Sequence, residues 1–110
     1  MNGRVPADEP WTWGALDTAT RVCRGDVSAV EVITSQLARL DSVNGALNAV
    51  TRRNDDTAFA AAAAIDHARA TGHDLGPLAG VALTIKDSAD VAGQSTPNGV
   101  AANEHQACDG

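Results

Sequence analysis

Lys86 is the only lysine in the sequence; the other seven of its eight Lys and Arg residues are arginines. Lysine has chemistry that arginine lacks, because burial lowers its pKa and the neutral amine is then a base. Ser88 and Ser95 lie close to it along the chain, yet neither sits on a glycine-rich turn that could offer an oxyanion hole. Two plainer uses of the same residue stay open. One is a lysine with its stem packed and its ammonium in water, and the other is an anion contact in a non-catalytic binding module. Cys23 and Cys108 are far apart and lack metal-ligand spacing, so they read as free thiols of a reducing, cytoplasmic setting. His67, His73 and His105 form no ligand pattern either, so no metal and no cofactor is expected.

The element that must position Lys86 is the run before it. Val81 to Ile85 is rich in β-branched residues and is bounded by Gly76-Pro77 on one side and a turn-rich Ser95-Thr96-Pro97-Asn98-Gly99 loop beyond, which predicts a strand. Strand alternation would send Val81, Leu83 and Ile85 to one face and Ala82, Thr84 and Lys86 to the other. Lys86 then stands at the C-terminal end of the strand, where open α/β sheets gather their ligands. Asp87 would point away from Lys86 and is read as structural, binding backbone N–H groups of the following loop.

Three helices precede the strand. Thr12 can cap a helix from Trp13 to about Arg24 that Gly25 closes, with Trp13, Leu16, Ala19, Val22 and Cys23 on one face. Ser28 and Glu31 make a capping box for the second helix. Val30, Ile33, Leu37 and Leu40 then recur at helical spacing, and Gly45 is read as the stop. That stripe reads as packing; a contact between copies, giving a homo-oligomer, is its other use. Leu47 to Thr51 is a short strand candidate. A third helix is expected from about Asp55 to Ala70, ended by Gly72, with an alanine-rich centre that allows close approach of a neighbour. Its Asp66, His67 and Arg69 are read as a solvated outer face.

Residues 1–10 are polar, contain two prolines and read as a flexible lead. Residues 11–110 are the size of one domain, but alanine is the commonest member of the apolar inventory, with one Phe, two Trp and no Tyr. So thin a core fits a segment that packs against a larger body and is marginal alone. The formal net charge of −6 argues against nucleic acid and anionic membrane as partners. No apolar run approaches the roughly 20 residues of a membrane span, and the N-terminus has no signal-peptide core.

Taken together, Gly76-Pro77-Leu78-Ala79-Gly80-Val81-Ala82-Leu83-Thr84-Ile85-Lys86-Asp87, then Val91-Ala92-Gly93 and Thr96-Pro97-Asn98-Gly99, resemble the N-terminal motif of the amidase signature family. The preceding helices fit more weakly, so residues 11 to 103 look like the start of such an enzyme. Two positions depart from the pattern: Ala82 stands where the family often has Pro, and Val100 where it often has Ser. The resemblance implies an α/β fold, with these helices and first strands belonging to a mixed β-sheet covered by helices. It also implies a hydrolase of small-molecule carboxamides, in which neutral Lys86 takes the nucleophilic serine's proton through a bridging serine held by a cis peptide bond. Both family serines lie in a Gly/Ser-rich signature, and no such run occurs in this sequence. The expectation is therefore a truncated, inactive N-terminal segment. Within the same family, the A subunit of a glutamine-dependent aminoacyl-tRNA amidotransferase, releasing ammonia for its partner, is the alternative.

Overall fold

The computed structural model describes residues 9–86 and Ala92. A 3-10 turn at Pro10–Thr12 leads into α1 (Ala15–Arg24), α2 (Ala29–Leu47) and α3 (Asp55–Ala70). Val22 of α1, Val27, Ala29 and Val32 of α2 and Ala62 of α3 form the core, with Trp13, Ile33, Ile65 and Leu75 packed against it. Among the described residues Val22 and Val32 are its largest fully buried side chains, so the part of the core that these residues form is thin.

α1 starts two residues later than expected. Gly14, not Thr12, is its N-cap, because the Thr12 hydroxyl is turned back to donate to the Glu9 carbonyl. The Trp13 indole is covered by the Arg21 guanidinium, 4.1 Å from the ring centre, a cation–π contact on a half-buried ring. The buried face is Thr18, Ala19 and Val22, while Leu16 is exposed. Gly25 ends the helix in the left-handed region at φ +79°, as a glycine C-cap does. A Cβ on it would run into the Arg69 guanidinium.

Ser28 caps α2 as its sequence foretells, accepting from the Glu31 N–H at 3.0 Å. Gly45 does not stop this helix. It runs on to Leu47, and Asn48 closes it at φ +49°, donating its N–H to the Asn44 carbonyl. The expected strand at Leu47 to Thr51 is absent for a related reason. The Asn44 side-chain amide accepts from the Val50 N–H and donates to the Val50 carbonyl, both at 2.9 Å, and so takes the place of a neighbouring strand. Gly45 faces open space inside a helix, where glycine costs more backbone entropy than alanine. Gly45→Ala is therefore expected to raise the chain's stability by about 0.5–1 kcal/mol, read as a higher urea midpoint.

α3 keeps its expected bounds, and its His67 and Arg69 are exposed as expected, but Asp66 is half-buried and both Asp66 and Arg69 reach neighbouring helices. The half-buried Asp66 carboxylate accepts from the Ala29 N–H at 2.7 Å and the Val30 N–H at 3.1 Å. Arg69 donates to the Cys23 carbonyl at 3.3 Å and the Arg24 carbonyl at 3.0 Å. One helical turn of α3 thus holds the start of α2 and the end of α1, each with the charge that suits that helix end. Nearer its start, Arg53 pairs with Asp55 at 2.8 Å and with Asp41 of α2. The two carboxylates push the guanidinium pKa upward.

Among the described residues no strand forms: Val81 to Ile85 is irregular, and only Ala92 carries an isolated bridge. A strand exists by its ladder to a neighbour, and no described residue runs beside this one to make that ladder.

Candidate functional site

The approach to Lys86 starts at Leu75, which packs on the core. Two consecutive turns follow. The Ala79 N–H donates to the Gly76 carbonyl and the Val81 N–H to the Leu78 carbonyl, both at 3.1 Å. Within the second turn Gly80 adopts φ +85°, a conformation that suits a residue without Cβ. It also lies against α1: a Cβ on Gly80 would come within 2.7 Å of Val22 Cγ2. The glycine is needed twice, for its dihedral and for its closeness to the core.

Beyond Gly80 the chain moves off the helices. Val81 and Ala82 are half-buried and, with Leu83, border an apolar cavity of about 210 Å³ shared with Ile33 of α2 and Ala61 and Ile65 of α3. Leu83 and Ile85 are 74% and 56% exposed, and Thr84 and Lys86 are exposed as well. Burial therefore declines along the segment in place of the alternation a paired strand would show. Lys86 is the last described residue of the run. Asp87, Ser88, Ser95, Thr96, Asn98 and Gly99, singled out with it in the sequence, lie outside the described residues, as do His105 and Cys108.

Cys23, an exposed free thiol, borders a second, open cavity of about 330 Å³ with Arg69, His73 and Asp74. His73 Nδ1 is 2.8 Å from the Thr71 hydroxyl. No three His, Cys, Asp or Glu side chains gather as ligands among the described residues, and no helix among them is long and apolar enough to cross a membrane. Sequence reasoning missed Asp66, Arg69 and Asn44, whose partners are backbone groups outside their own helical turn. It also missed the closeness of Gly80 to Val22, for which the second glycine of Gly-Pro-Leu-Ala-Gly was the available signal.

Residues 31–109 match the family model described as Amidase. An indoleacetamide hydrolase of Bradyrhizobium diazoefficiens is 44% identical over 99 residues, which cover 90% of this chain and 19% of that protein. A glutamyl-tRNA(Gln) amidotransferase A subunit from Streptomyces avermitilis is 41% identical over 73 residues, covering 66% of this chain and 15% of that protein. The corresponding protein of a Synechococcus species is 48% identical over 64 residues, 58% of this chain and 13% of that protein. The chain thus spans less than a fifth of the length of these relatives.

Proposed function

The chain belongs to the amidase family, and from that premise we propose that it is the opening part of a carboxamide hydrolase and supplies Lys86 as the general base. An amide carbonyl is a weak electrophile and its nitrogen a poor leaving group. A serine hydroxyl must lose its proton as it attacks the carbonyl carbon, and the proton must reach the departing nitrogen as the C–N bond breaks. Lys86 takes that proton through a bridging serine and returns it by the same route. Both serines come from a part of the family domain that this sequence does not include.

The observation that carries this reading is the ordered run from Gly76 to Gly99, which contains the only lysine and falls within the family match. To act as a base, Lys86 must be shielded from water. It is exposed in the described structure, so the reading requires further parts of the domain to cover it. Those parts also supply the strands that pair with Val81 to Ile85 and complete the α/β sheet. The substrate is a small amide, the location cytoplasmic, and nucleic acid is not bound by this acidic segment.

A second reading is favoured by the relatives that belong to glutamyl-tRNA(Gln) amidotransferases: a protein that frees ammonia from glutamine for a partner. The reading frame beyond Gly110, followed by an ammonia assay on its full product, tests both. A Gly/Ser-rich run with two serines, and ammonia release from a primary amide such as indole-3-acetamide, is the expected result. Release from glutamine alone selects the second reading. A frame with no such serines overturns both.

A further inference from the structure

We propose that Gly80 is a positioning residue for Lys86, with Val22 of α1 as its seat. Three observations converge on this pair. Val22 is fully buried at the centre of the three-helix core. Gly80 is so near that a Cβ would meet Val22 Cγ2 at 2.7 Å, Cγ1 at 3.0 Å and Cβ at 3.1 Å. The segment stays half-buried through Ala82 and is exposed from Leu83 to Lys86, so Gly80, two residues before exposure begins, is where the lysine-bearing run meets the helix core most closely.

The seat is itself held from behind. Arg69 grips the last carbonyls of α1, and Asp66 grips the first N–H groups of α2. These contacts oppose a slide of α1 that would carry Val22 away from Gly80. A side chain at Gly80 is accommodated by displacing the segment that follows, because packed interiors do not give while exposed ends do. Displacement at Gly80 moves the origin from which Lys86 extends. The catalytic consequence rests on the proposed base role, since a base displaced by about 1 Å loses much of its rate.

The test uses the 110-residue chain, in which carbon-13 reductive methylation labels Lys86 as the only lysine, beside the α-amino group. Gly80→Ala is expected to shift the Lys86 dimethyl signal and the amide signals of residues 84–86, several positions from the substitution, with helix content retained. Adding Val22→Ala removes the Cγ1 and Cγ2 contacts and brings those signals part of the way back toward the unsubstituted chain, because the cost of an alanine at φ +85° is common to both variants. General destabilisation would do the reverse and carry the double variant further away. The inference is overturned if the signals of residues 84–86 stay in place in Gly80→Ala, or if the double variant departs further than the single. Should Gly80→Ala not fold, Val22→Ala alone is read: loss of the seat shifts the same signals, and unchanged signals overturn the proposal. Activity plays no part in this readout, so a failure of the seat and a failure of the base role are separate results.

Discussion

On their own, the 110 residues are expected to release no ammonia from any carboxamide and to cleave no ester. Amide hydrolysis needs an activated nucleophile and donors for the oxyanion, and the described serines are engaged in the fold. Ser28 caps α2. Ser35 Oγ accepts the Trp11 N–H at 3.1 Å, which ties the 3-10 turn to α2. The Ser42 hydroxyl donates to the Arg39 carbonyl. Ser88 and Ser95 sit in no glycine-rich run. An ammonia assay with simple aliphatic and aromatic amides checks this. Release that disappears in Lys86→Ala would show that the segment contains its own nucleophile.

The second large effect concerns the latch between helices. Asp66→Ala is expected to destabilise the chain by about 2–3 kcal/mol, read as a lower urea midpoint with an unchanged slope. The first four N–H groups of a helix lack intrahelical partners. In α2 three of these needs are met, by Asp66 at Ala29 and Val30 and by Ser28 Oγ at Glu31, and the Val32 N–H then makes the first intrahelical bond, to the Ser28 carbonyl. Removing the carboxylate orphans two of them, one on a buried residue, and takes a negative charge from the positive end of the helix. Asp66→Asn keeps one acceptor without the charge, so its loss should be about half as large. Equal stability of Asp66→Ala and the unsubstituted chain would mean that water serves those N–H groups as well as the carboxylate does.

How legible the molecule was in its sequence follows from which interactions are local. The Ser28 cap, the Gly25 stop and the bounds of α3 depend on residues within one turn of each other, and all three were readable. Gly45 misled because helix termination depends on the next residue able to adopt αL, and Asn48 does so three positions later. The half-burial of Asp66 and the reach of the exposed Arg69 were missed because their spacing on α3 looks like a solvated face. Their partners are backbone groups 36 to 46 residues away, which no periodicity encodes. The segment before Lys86 reads as a strand from its composition, yet β-propensity reflects packing against neighbours more than a backbone preference, and no neighbouring strand lies among the described residues. Lys86 itself was legible as the sole lysine at the end of an ordered motif; the role proposed for it calls for a Gly/Ser-rich run that does not occur in this sequence.

The central claim, that this chain contributes the base of an amide hydrolase, rests most directly on one comparison in the full product of the reading frame. The kcat for ammonia release is measured for the unsubstituted protein, Lys86→Ala and Lys86→Arg. A positioned general base contributes about 10²–10⁴-fold, so Lys86→Ala is predicted to lose that much. Lys86→Arg is predicted to fall as far, because a guanidinium stays protonated and cannot accept the serine proton. Retention of the unsubstituted rate in Lys86→Ala, or its recovery in Lys86→Arg, would contradict the claim: the first would remove Lys86 from the chemistry, and the second would leave it as a positive charge and not a base.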